Sequence, residues 1–146
     1  MQAVKWVLAA AVVGCSPSVP TPAMDAGAGS PPELGSSLNV RVVEDSVRME
    51  IHVTNVTSSP IALEFSTTQR YDFEVSQPDG DRVWRWSEDV MFGQALGVEE
   101  LGPGESRQWA AAWPGEGREG DFVATARVVS SNYPVELRTG FRLPAN

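Results

Sequence analysis

Residues 47–53 read VRMEIHV. Val47, Met49, Ile51 and Val53 take alternate positions, and Arg48, Glu50 and His52 fill the gaps. Successive side chains of a β-strand point to opposite faces, so this run has one apolar face and one polar face. A helix would scatter the four apolar residues around its axis, because they are spaced by two rather than by three and four. The same period continues outward. Leu38, Val40 and Val42 alternate with Asn39 and Arg41 on one side. On the other side come Ile61, Leu63 and Phe65, then Tyr71, Phe73 and Val75 with Asp72 and Glu74 on the polar face. Near the end, Leu137, Thr139, Phe141 and Leu143 alternate with Glu136, Arg138, Gly140 and Arg142. Glu44-Asp45-Ser46, Ser58-Ser59-Pro60, Pro78-Asp79-Gly80-Asp81 and Gly102-Pro103-Gly104 punctuate these runs as turns. Further strands are expected at 82–86, 106–113 and 121–130. About eight short strands over residues 38–146 predict an all-β domain, an antiparallel β-sandwich of immunoglobulin-like size.

Composition narrows the chemistry. The chain has 146 residues and a formal net charge of -8, so a phosphate backbone is repelled and nucleic-acid partners are disfavoured. A single Cys permits no intrachain disulfide, so packing alone must hold the two layers together. A single His excludes a His-based metal cluster. Beyond Lys5 there is no lysine, which removes Ser–Lys and Schiff-base designs. No Gly-x-Ser-x-Gly elbow is present, and His52 falls on the polar face of a regular strand. The reading is a non-enzymatic domain with no cofactor and no metal. The acidic loop residues, among them Asp79, Asp81, Glu88 and Asp89, fit a solvated rim better than a calcium loop, since no EF-hand spacing occurs.

The first residues carry a different signal. MQAVKWVLAAAVVGC has a positive Lys5, an eight-residue apolar run from Trp6 to Val13, and then Gly14-Cys15. The run suits an export signal and is too short for a membrane span. An aliphatic residue, a small residue and a Cys in that order resemble the bacterial lipobox, which implies acylation of Cys15. The alternative is a plain secretory signal cut near Ala9-Ala10-Ala11, with Cys15 incidental. In residues 16–37, Pro, Gly, Ser and Ala fill 16 of 22 positions, the composition of a flexible spacer. The expected organisation is a lipoprotein signal peptide at 1–14, a lipidated Cys15 with a linker through residue 37, and a folded domain at 38–146. The expected location is the bacterial cell envelope, with attachment to the membrane through the lipid anchor.

A longer pattern runs through the middle. Gln69-Arg70-Tyr71-Asp72-Phe73-Glu74-Val75 is followed by Gly80 and Val83-Trp84-Arg85-Trp86-Ser87. Met91-Phe92-Gly93-Gln94-Ala95, Gly102-Pro103-Gly104-Glu105, Trp113 and Gly120-Asp121-Phe122 come after. This pattern resembles the bacterial intracellular proteinase inhibitor family, BsuPI, over about residues 38–130. The resemblance implies an immunoglobulin-like sandwich and, for the founding inhibitor type, binding to a subtilisin-like serine protease. An export signal on this chain would place any such partner in the envelope or outside the cell. The alternative is a non-inhibitory structural or interaction module of the envelope, because one fold hosts many roles.

The segment Ser87–Gly97, SEDVMFGQALG, is the candidate contact, with Ser87, Met91, Phe92 and Gln94 as its partner-binding residues. A substrate-like inhibitor needs an exposed, held loop with a side chain for the specificity pocket, and Met91 or Phe92 suits an apolar one. The competing expectation is that Phe92 plugs the end of the core and the segment packs down on the sandwich. Trp84 and Trp86 share one face, and Trp109 and Trp113 share another. They build either an aromatic platform or, the favoured reading, a Trp-rich core.

Overall fold

The computed structural model describes residues 29–115 and 117–145. Nine strands run in chain order. They are β1 (Leu34–Val43), β2 (Ser46–Asn55), β3 (Ile61–Phe65), β4 (Tyr71–Ser76), β5 (Arg82–Arg85), β6 (Gly97–Leu101), β7 (Ser106–Pro114), β8 (Gly120–Val128) and β9 (Val135–Leu143). A single 3-10 turn at Trp86–Asp89 follows β5. Every strand pairing is antiparallel. One sheet has the order β1-β2-β7, the second β5-β4-β8-β9, and β3 and β6 form a separate two-stranded sheet. These two larger orders correspond to the A-B-E and C′-C-F-G layers of immunoglobulin-like sandwiches.

The alternation read from the sequence becomes the core. Val47, Met49, Ile51 and Val53 of β2 are fully buried and face Phe73 and Val75 of β4 and Ala124 and Ala126 of β8. The β3–β6 pair adds Ile61, Leu63, Phe65 and Leu101 to the same core. Asn55 ends β2 inside the protein. Its Nδ2 donates to the carbonyls of Ser59 (2.8 Å) and Leu101 (2.9 Å), and its Oδ1 accepts from the Thr57 amide (2.9 Å) and hydroxyl (2.7 Å). With every polar position bonded, a fully buried amide becomes a rivet between β2 and β6.

Three expectations are corrected. The folded part does not begin at residue 38, because β1 starts at Leu34, which is buried. Gly29 exchanges two backbone hydrogen bonds with Glu136 of β9, at 2.8 and 2.9 Å, so residues 29–37 belong to the domain rather than to a spacer. Gly and Ser are tolerated there because Leu34 and Ser36 continue the inward phase of Leu38 and Val40. The strand count is nine rather than eight, the addition being β6. The strands expected at 82–86 and 121–130 end earlier, at Arg85 and Val128. The signal peptide, Cys15 and most of the expected linker lie outside the described residues. Among the described residues no helix is long and apolar enough to cross a membrane.

Candidate protein-binding loop

Between β5 and β6 the chain leaves one sheet and enters the two-stranded β3–β6 sheet, and this passage is the loop that the sequence marks as the candidate contact. Its start is fixed by a buried carboxylate. Asp72 on β4 is almost fully buried. Its Oδ2 accepts from Arg85 Nε (2.7 Å) and the Ser87 hydroxyl (2.7 Å), while Oδ1 accepts from the amides of Phe73 (2.9 Å) and Ser87 (3.2 Å). Four donors around one carboxylate offset the cost of removing its charge from water. The reciprocal hydrogen bond to Asp72 holds the Arg85 guanidinium's pKa above its ordinary value.

The middle of the loop is fastened to the β3–β4 connection. The Gly93 amide donates to Thr68 Oγ1 (2.8 Å), and the Thr68 amide donates to the Gly93 carbonyl (3.0 Å). A Cβ on Gly93 would crowd the Thr68 methyl at 3.2 Å, so the absent side chain permits this approach. At the far end Gly97 pairs with Phe65, and the Arg70 guanidinium lies over Gly97. Arg70 donates through Nε to Glu99 (2.8 Å) and through Nη1 to the Thr67 carbonyl (2.9 Å). Its guanidinium also stands 4.4 Å from the Phe65 ring centre, within cation–π range.

An aromatic file supports the loop from beneath. Phe92 packs on Trp86 at 5.8 Å between ring centres, Trp86 stacks on Tyr71 at 4.3 Å, and Tyr71 stacks on Trp109 of the opposite sheet at 6.0 Å. Burial pushes the Tyr71 phenol up. Above this file the apolar side chains turn outward. Met91 is 98% exposed and Leu96 88% exposed.

The four sequence candidates therefore separate. Ser87 is half-buried and bonded to Asp72, which fixes the start of the loop. Phe92 is half-buried against Trp86. Met91 and Gln94 are exposed. The two expectations for the segment are divided between neighbours, with Phe92 packed down and Met91 displayed. Leu96, Asp72, Thr68 and Arg70 join the site through the structure. Asp72 sits where alternation predicts a wet face and is buried because Arg85 and Ser87 cover it. No residue-level signal marks Thr68. Of the tryptophans, Trp113 is buried, whereas Trp84, Trp86 and Trp109 are partly buried and packed on the core. Among the described residues no group of three or more His, Cys, Asp or Glu side chains is placed to hold a metal ion. His52 contacts Glu50 on the outer face of β2.

Fold and loop together define a small antiparallel sandwich that displays an anchored apolar loop. Residues 34–133 match the family described as intracellular proteinase inhibitor, BsuPI, and the chain belongs to that family. No curated protein matches the chain. Solved structures that resemble it include a penta-heme cytochrome c552 from Thermochromatium tepidum, at 9% identity and a TM-score of 0.48 over 77% of this chain. A protein assigned as ApaA from Bordetella pertussis shows 17% identity and a TM-score of 0.43, covering 77% of this chain and 95% of that one. β-Glucosidase 3B from Thermotoga neapolitana shows 16% identity and a TM-score of 0.43, again over 77% of this chain. The chain spans 40% of the cytochrome's length and 16% of the glucosidase's. Identities and TM-scores this low transfer no function.

Proposed function

We propose that this domain inhibits a subtilisin-like serine protease by offering the Ser87–Gly97 loop to the enzyme's cleft, with Met91 entering an apolar specificity pocket. The observation that carries the reading is the contrast between adjacent residues. Met91 is 98% exposed while Phe92 is packed on Trp86 and Gly93 is bonded twice to Thr68. A loop already held in place loses little ordering entropy on association, and this preorganisation is how a short contact reaches high affinity. Membership of a proteinase inhibitor family supports the protease as partner. The enzyme sits in the cell envelope or outside the cell, and the domain reaches it from a lipid anchor on Cys15, as the apolar run ending at Gly14-Cys15 suggests.

Titration of subtilisin-like proteases with the protein tests the contact. Stoichiometric loss of protease activity is expected, and Met91→Asp weakens it by about tenfold or more without lowering the melting temperature, because the exposed side chain contributes nothing to packing. Full protease activity in excess protein refutes the reading and favours a non-inhibitory envelope module. Incorporation of labelled palmitate into the wild type and not into Cys15→Ser tests the anchor separately.

A further inference from the structure

The displayed residue has a chemistry that no other exposed described residue shares. The chain contains four methionines, of which Met49 and Met91 are described. Met49 is wholly buried in the core, and Met91 is 98% exposed at the crest of the loop. A thioether open to water is oxidised by peroxides, whereas a buried one is protected. No ring contact shields Met91; the nearest aromatic in sequence, Phe92, turns down to Trp86. We infer that Met91 is an oxidation-sensitive switch, at which conversion to the sulfoxide by a peroxide stops the free inhibitor from binding its protease.

The step balances simply. The Met91 sulfur attacks one peroxide oxygen, the O–O bond breaks, an S=O bond forms, and water leaves. Sulfur loses two electrons and the peroxide gains them. The product carries a polar, strongly hydrogen-bonding oxygen on a side chain that must enter an apolar pocket, and desolvating that oxygen without a partner opposes binding. The fold does not register the change, since Met91 contributes no buried surface. Binding and stability are thereby uncoupled, which is what a switch requires. Methionine sulfoxide reductases reverse the modification, so inhibition is restored when the oxidant is gone. This inference rests on the loop being the protease contact.

The test treats the full chain with hydrogen peroxide, maps oxidised methionines by peptide mass spectrometry, and titrates a subtilisin-like protease before and after. Expected are a single added oxygen on Met91 with Met49 untouched, an unchanged melting temperature, and an inhibition constant raised by on the order of tenfold. Reductase treatment returns the constant to its starting value. Met91→Leu lacks the sulfur, so whatever inhibition constant it shows before peroxide is unchanged after it. Inhibition that survives complete oxidation of Met91 overturns the switch and leaves the contact loop standing. Equal peroxide sensitivity in Met91→Leu also overturns it, by locating the effect elsewhere. An untreated chain that inhibits nothing overturns the contact loop and the switch together.

Discussion

The sandwich is bounded by two aromatic groups that use the same residue types for opposite ends. At one end Trp113 meets Phe122 and Phe141, at 5.4 and 6.4 Å between ring centres, and Phe122 stacks on Phe141 at 5.8 Å. Trp113 and Phe122 are both buried there, so this cluster closes the core. At the other end Trp109, Tyr71, Trp86 and Phe92 stand in file, none of them fully buried. On β8 the positions that mark the two ends, Phe122 and the Tyr71 partner Val128, lie about 20 Å apart at the rise of a strand. The first cluster ends in itself. The second carries order outward from the core to a loop whose crest is bare. Rings that seal a core hide each other, whereas rings that buttress a loop keep one side free.

The largest effect should come from emptying the closing cluster. Phe122→Ala removes a buried ring at the meeting of two sheets and should cost about 3–5 kcal/mol in urea unfolding. Phe92→Ala, half-buried on Trp86, should cost less than half of that while quickening amide exchange across 90–96. Equal losses at the two positions would erase the distinction drawn between them.

Next is the buried carboxylate. Asp72→Ala strips acceptors from Arg85 and from the amide and hydroxyl of Ser87. Arg85 reaches solvent over about a third of its side chain, which moderates the penalty. A loss of about 2–3 kcal/mol is expected, with protease affinity falling further than in Ser87→Ala. Retention of both stability and affinity would show that the loop is held without its base.

Much of this could be read from residues alone, and the failures share a cause. VRMEIHV fixes β2 because burial there follows hydrophobicity position by position. β6 is not legible in the sequence because its phase is inverted. In GVEEL the apolar Val98 points out and the charged Glu99 turns toward Arg70. Asp72 misleads for a related reason, since a buried carboxylate on the outer face is legible only once Arg85 and Ser87, thirteen and fifteen residues on, are seen to close over it. Leu34 was lost among Gly and Ser, whose composition outweighed the continuing alternation. Periodicity reports single faces, whereas charge pairing between strands is a property of the assembled sheet. The loop was visible as a segment, but the division between Met91 and Phe92 was not, because either residue fits either role in isolation.

A smaller effect concerns the far stem of the loop. A Cβ on Gly97 would overlap the Arg70 guanidinium, which belongs to the far end of a flexible side chain. Gly97→Ala should therefore swing Arg70 aside and loosen its bond to Glu99. The cost should be about 1 kcal/mol, in keeping with a partly exposed pair. Met91 should stay exposed and inhibition should weaken only modestly, since the Thr68 bonds remain. A loss as large as that of Asp72→Ala would move the main anchor from the base of the loop to its far stem.

The smallest effect lies on the outer face of the four-stranded sheet, two strands across from Asp72. Burial alone draws the Glu136 carboxyl upward, but hydrogen bonds and charge from Arg127 and Arg138 outweigh it, and the net pKa lies below the ordinary 4.5. The folded protein thus binds this proton less readily than the unfolded chain does. Its contribution is complete above the unfolded value and is lost as pH falls through the lower, folded one. Wild-type stability should decline as the pH drops below about 4.5, and Glu136→Gln should start lower at neutral pH and decline less steeply. Because Glu136 also pairs through its backbone with Gly29, the substitution leaves that bridge in place and isolates the carboxylate. Parallel acid limbs for the two proteins would mean that Arg127 draws its compensation from Glu74 instead, the other carboxylate within 3.5 Å of its guanidinium.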